Sequence, residues 1–99
     1  MGAIEFTQFL LPNGRRQLVQ FELPDDLYLS ARRIKELGYQ FEVELLTTGM
    51  VSMEILNHAT EDVLAHELTA NGPPVVDAVH ALVKNAVRTL KMRDRSIDV

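Results

Sequence analysis

Between Ala3 and Leu11 the chain alternates, with Ile4, Phe6, Gln8 and Leu10 on one side and Glu5, Thr7 and Phe9 on the other, the period-2 pattern of a strand. Asn13-Gly14 follows, the dipeptide that a two-residue type I′ hairpin favours because both central positions need positive φ. With Pro12 opposite Arg15, Leu10 pairs with Gln17, Gln8 with Val19, Phe6 with Phe21 and Ile4 with Leu23. Both apolar rows then share a face, and Glu5 meets Glu22 on the other.

The pattern changes period after Leu23. Pro24, Asp25 and Asp26 suit the positive end of a helix, and Gly38 stands where a C′ residue turns left-handed. Leu27, Ala31, Ile34 and Leu37 form the expected buried stripe of that helix. From Tyr39 to Leu46 alternation returns, with Tyr39, Phe41, Val43 and Leu45 on one face. Thr47 to Gly49 reads as a three-residue loop of the type I plus bulge kind, which pairs Leu45 with Val51, Val43 with Met53 and Phe41 with Ile55. Glu42 is thereby set opposite Glu54.

"NHATED" turns the chain into a fifth strand, Val63 to Thr69, and "NGPP" opens a second helix with Asn71 or Gly72 at its cap, running from about Pro73 to Met92. Its apolar residues, Val75 to Leu90, cover an arc of about 140° at about 100° per residue, wide enough to dock on a sheet. The order β-β-α-β-β-β-α predicts an α+β two-layer sandwich, a mostly antiparallel five-stranded sheet with two helices on one face. Strand orders 2-1-3-4-5 and 2-1-5-4-3 both fit the expectation of antiparallel neighbours. Residues 1–92 form the expected domain and residues 93–99 a flexible tail.

In this arrangement the second face of the sheet has nothing left in the chain to cover it. The residues expected there are Glu5, Thr7, Phe9, Leu18, Gln20, Glu22, Gln40, Glu42, Glu44, Leu46, Ser52, Glu54, Leu56, Val63, Ala65 and Glu67, with Arg16 as the main positive neighbour. Directly opposed like charges cost about 0.2 to 1 kcal/mol, small against a fold worth about 5 to 15 kcal/mol. The glutamates either keep a solvated sheet soluble and guard its edges, or join the apolar residues in a docking surface. Phe9, Leu18, Leu46 and Leu56 are the expected anchors, and Glu42, Glu44 and Glu54 the expected charges. Eight of the ten basic residues fall on the helical side or just after it: Arg32, Arg33, Lys35, Lys84, Arg88, Lys91, Arg93 and Arg95. The molecule is therefore strongly dipolar although its net charge is only -4.

Ninety-nine residues, 46% apolar and 24% charged, make one globular domain. The lack of cysteine removes disulfides, thiolate metal sites and thiol catalysis, and fits a reducing cytoplasm. The N-terminal "MGAIEFTQF" has neither signal-peptide nor myristoylation character, and no apolar run approaches a membrane span.

Residues 25 to 92 follow an α-β-β-β-α order that is similar to the double-stranded-RNA-binding domain. That family's second helix opens with a lysine cluster where this chain reads "PPVVDAV", and its loop motif has no counterpart in "TTGM". The resemblance is one of topology and transfers no residues. A pI near 5.2 and the lack of an aromatic-basic platform point away from nucleic acid as a partner.

For chemistry, His66 alternates in phase with Leu64 and Leu68 and is expected in the core beside Met53. His58, Glu61 and Asp62 offer a weak oxygen-rich cation site, but at a spacing that matches no established metal loop. His80 is an exposed surface residue by default. Glu42 with Glu54 is the carboxylate pair that acid-base chemistry would use, yet a flat sheet face lacks the enclosure of an active site. No nucleophile elbow, P-loop, dinucleotide fingerprint or zincin motif occurs. The sequence therefore assigns no catalytic residue, metal or cofactor. Its expected role is a small binding or regulatory module that meets a second copy of itself or a basic protein through the open face. A carboxylate or metal-dependent enzyme, or nucleic-acid binding through the basic helices, is the alternative.

Overall fold

The computed structural model describes residues 2–10, 15–70, 72 and 74–93. Its order is β1 (Gly2–Leu10), β2 (Arg15–Leu23), α1 (Asp25–Glu36), β3 (Gln40–Leu45), β4 (Met50–Asn57), β5 (Asp62–Ala70) and α2 (Pro74–Arg93). The strands form one five-stranded sheet in the order β2-β1-β3-β4-β5. One apolar core joins Ile4, Phe6 and Leu23 of the first hairpin to Phe41, Val43, Met53 and Ile55, and to Leu27, Ala31 and Ile34 of α1 and Val79, Leu82, Val83 and Ala86 of α2. Both helices thus cover the same face, as the two periodicities require. α2 includes Arg93, while 94–99 lie outside the described residues. Among the described residues no helix is long and apolar enough to cross a membrane.

Three of the neighbouring strand pairs are antiparallel, but β1 and β3 run parallel, with Thr7 beside Glu42 and Leu10 beside Leu45. The expectation of antiparallel neighbours throughout is corrected by the path of α1. β2 ends opposite Gly2 and β3 starts near the level of Glu5, so both ends of α1 lie at the same end of the sheet. A chain that leaves and re-enters at one end reverses direction between β2 and β3, and β1, antiparallel to β2, must then match β3. The ladder to β3 covers only Thr7–Leu10 of β1, and Lys35 Nζ donates to the Glu5 carbonyl at 3.3 Å beyond it.

The second hairpin has the expected register, Phe41 with Ile55, Val43 with Met53 and Leu45 with Val51. Gly49 supplies the positive φ, at 87°. The first hairpin is displaced by two residues: Ile4 faces Phe21, Phe6 faces Val19, Gln8 faces Gln17, and Leu10 faces Arg15. Glu5 consequently meets Gln20, and Glu22 meets Ala3. The Asn13-Gly14 turn lies outside the described residues. An even shift leaves every side chain on its face. It sets Phe6 diagonal to Phe21, where the rings meet edge to face at 4.9 Å and 74°, and Phe6 meets Phe41 likewise at 5.2 Å and 73°. Such pairs add about 0.5–1.5 kcal/mol beyond their burial.

α1 starts after Pro24, which gives no side-chain cap, and stops at a Schellman turn in which Gly38, at φ 99°, donates to the Lys35 carbonyl and Tyr39 to that of Ile34. Leu37, expected in the buried stripe, is 53% exposed, because as the C-cap residue it has already left the helical phase.

Candidate functional site

The face opposite the helices carries three rows that the strand registers define. The middle row runs Leu18, Thr7, Glu42, Glu54, His66 across all five strands. The next row, toward the β3–β4 loop, runs Arg16, Phe9, Glu44, Ser52, Leu68. On the far side come Gln20 with Glu5 and then Gln40, Leu56 and Val63. All seven anchor and charge residues expected from the sequence share this face, with Leu46 just beyond β3 in the same phase as Glu42 and Glu44.

β5 departs from the expectation. A bulge between Ile55 and Leu56 pairs Ile55 with Ala65 and Leu56 with Val63, so that Leu64 is an extra residue. Leu64 and Ala65 are both buried, and the alternation behind them is inverted. His66 therefore faces Glu54 on the open side, not Met53 in the core, and Leu68 is 52% exposed there. Ala65 and Glu67, expected on the open face, lie on the helical side, where the Glu67 carboxylate accepts from Asn85 Nδ2 at 2.5 Å. The sequence carries no Gly or other mark for this bulge. The only signal is indirect: an unshifted strand would bury His66 and expose Ala65.

The like charges of Glu42 and Glu54 are present as expected, directly opposite each other. What the pairing did not reveal is the group that relieves them. Asn57 Oδ1 accepts from the backbone N–H of Ala59 at 2.9 Å and Thr60 at 3.4 Å, and Glu61 takes φ 58°; this tight turn brings His58 back over the sheet. His58 Nε2 donates to Glu42 Oε2 at 2.5 Å. The Glu42 side chain is only 15% exposed beneath it. One strand along, Ser52 Oγ and His66 Nε2 share a hydrogen bond of 2.9 Å. Arg16 lies over the Phe9 ring at 5.4 Å, a cation–π contact at the edge of the surface.

The cation site suggested by His58, Glu61 and Asp62 is not assembled. His58 is turned to Glu42, while Asp62 Oδ2 accepts from Tyr39 Oη at 2.6 Å and from Arg93 at 2.5 Å on the opposite side of the sheet. The Arg93 guanidinium, and after it the Tyr39 hydroxyl, hold the Asp62 carboxyl below its ordinary range, and the same Asp62 contact raises Tyr39. Among the described residues no group of three or more potential ligands is arranged to hold a metal ion.

Chemically the surface is an acidic centre between apolar margins. Leu18 on β2 is 64% exposed, and Val63 and Leu68 on β5 stand about four strand spacings away, roughly 19 Å. Ser52 with His66 has the contact of a nucleophile and its base, but it lies on a flat sheet face with His66 exposed and no enclosing walls among the described residues. A shallow hollow lies elsewhere, on the outward side of α1, lined by Leu29, Arg32, Arg33, Glu36 and Leu37.

Compared with known proteins, the chain matches no family model, no curated protein and no solved structure, so the α-β-β-β-α likeness remains one of element order.

Proposed function

We propose that the protein is a small binding module whose contact surface is the open face of the sheet. The observation that carries this reading is the composition of a face that no described helix covers: Leu18, Val63 and Leu68 exposed at its margins, with Phe9, Leu46 and Leu56 half-buried among glutamates. Exposed apolar groups grouped around ordered polar ones are the composition of a protein contact, whereas a merely solvated sheet is served by polar residues throughout. The module acts by occupying its partner, as an inhibitor or regulator does, with no chemical step of its own.

The face also favours one class of contact. It carries Glu5, Glu22, Glu42, Glu44 and Glu54 against Arg16, so two such faces brought together would oppose like charges. The complement is a surface bearing cations and aliphatic side chains.

Photo-crosslinking amino acids placed at Leu56 and Leu68, in the full chain in its own cell, test the reading. Discrete adducts of defined mass that disappear with Leu18→Glu support it. Absence of any adduct at both positions overturns it.

A further inference from the structure

We propose that one occupant of the open face is a second copy of this chain, docked head to tail through the outward side of α1. This rests on the reading of the open face as a contact surface and names what meets it. The α1 hollow supplies the missing complement on the same molecule: Arg32 and Arg33 as cations, Leu29 at 61% and Leu37 at 53% exposure as apolar groups. Neither side is spent on the protein's own core. Among the described residues Arg32 pairs with Glu36 of its own helix, at 3.7 Å with both side chains more than 60% exposed, an exposed pair of little strength.

The two surfaces correspond in kind. Glu44 sits between Phe9 and Ser52, with Leu68 one strand further at the margin, so acid and aliphatic group lie side by side on one row. On α1, Leu29, Arg32 and Arg33 are three and four residues apart and share the hollow, presenting aliphatic group and cation together. Opposite charges thus meet across the contact while apolar groups meet beside them. The contact is heterologous, because different surfaces of the two copies meet, and each pair so formed keeps one free open face and one free α1 surface for the next copy. An isologous pairing of two open faces would instead bring Glu42, Glu44 and Glu54 against their own counterparts.

Sedimentation of the full chain with two gentle variants tests this. Glu44→Gln/Leu68→Gln alters the open face and Arg33→Gln/Leu29→Gln alters α1, all at sites outside the core. Wild type should associate with rising concentration, and its association constant should fall at least about tenfold between about 0.05 and 0.5 M salt as charges are screened. Each variant alone should be monomeric. An equimolar mixture should form dimers of one copy of each that grow no further, since only one intact surface of each kind remains; this recovery also shows that both variants are folded. A monomeric wild type at about 1 mM overturns the proposal, as does a variant that dimerises alone while the mixture adds nothing. If crosslinks from Leu56 and Leu68 carry a foreign mass in place of a multiple of this chain, self-docking falls while the open face stands as a contact surface. If no adduct forms, both fall.

Discussion

The two hairpins that make up most of the sheet are built from similar alternating sequences, yet they are held in different ways. In β3–β4 the helix-facing row is buried over most of its length, Phe41 and Val43 on one strand and Val51, Met53 and Ile55 on the other, with only Leu45 half-buried at the loop end. In β1–β2 the row starts buried, with Ile4, Phe6 and Leu23, and ends in Gln8 opposite the exposed Gln17. A hairpin buried over most of its length is held by packing, because an odd slip places polar groups under the helices and an even one pulls buried residues out from beneath them. A half-buried one is dictated only near its buried end.

The sharpest way to break this contrast is to truncate one fully buried and one half-buried residue of the same strand. Phe6 is fully buried and touches the rings of Phe21 and Phe41, so Phe6→Ala should cost about 3–5 kcal/mol in urea unfolding. Gln8→Ala, two positions along on the same face, should fall within about 0.5 kcal/mol of wild type. Equal costs would show that the hairpin is held evenly. Met53→Ala in the second hairpin should match the first of these, at about 2–5 kcal/mol.

A second difference lies at the open end of the first hairpin, where Gly2 faces Leu23. A Cβ at Gly2 would stand 2.5 Å from the ring of Tyr28, so β1 approaches α1 more closely than any side chain permits. Gly2→Ala should therefore cost about 1–3 kcal/mol by overpacking. In a Tyr28→Ala background most of that cost should vanish, which a double-mutant cycle reads directly. Additive costs would place the strain elsewhere.

How much of this was legible depends on what each residue's pattern encodes. Period and composition marked all seven elements, and the three-residue loop from Thr47 to Gly49 set the β3–β4 register, with Phe41, Val43, Met53 and Ile55 matching in agreement. In β1–β2 the same matching is blind to an even shift, which moves no side chain to the other face. The Asn13-Gly14 signal was therefore left to decide the register by itself, and it missed by two. At β5 the pattern misled: Leu64, His66 and Leu68 alternate in good order, but the bulge at Leu64 is a tertiary feature and inverts everything after it. Within the site, Glu42 facing Glu54 was readable from spacing. His58 was not, because its reach depends on the turn that Asn57 closes.

The loop of the second hairpin gives a smaller effect. Gly49 has φ 87° and nothing within 4 Å of a built Cβ, so Gly49→Ala tests backbone conformation alone and should cost about 1 kcal/mol in thermal or urea unfolding. Gly38, at φ 99° and with Asn57 Nδ2 3.2 Å from its Cβ position, should cost somewhat more on the same change. If Gly49→Ala proves neutral, the tight loop does not fix the β3–β4 register, and packing alone does.

The smallest effect concerns the ties that join each hairpin region to its helix. Near β3 and β5 the tie is ionic: Arg93 of α2 and the Tyr39 hydroxyl both bond Asp62. Asp62 is held below its ordinary value of 3.8, chiefly by Arg93 and then by Tyr39, so its contribution is present above that value and lost as pH falls through the lower folded value. Tyr39 is raised above 10.0 chiefly by the same carboxylate, so its contribution is present below 10.0 and lost as pH rises through the higher folded value. The tie at the first hairpin, Lys35 to the Glu5 carbonyl, has an acceptor that cannot be protonated in this range. Melting temperatures of wild type and Asp62→Asn should therefore differ by a constant amount between about pH 5 and 9, converge below about pH 4, and narrow above about pH 10 to the part that Arg93 supplies. The offset produced by Lys35→Met should not change between about pH 2 and 5. An Asp62→Asn offset that persists at acid pH would mean that Arg93 and Tyr39 hold the β3 and β5 ends by packing, and the two hairpins would then differ in burial alone.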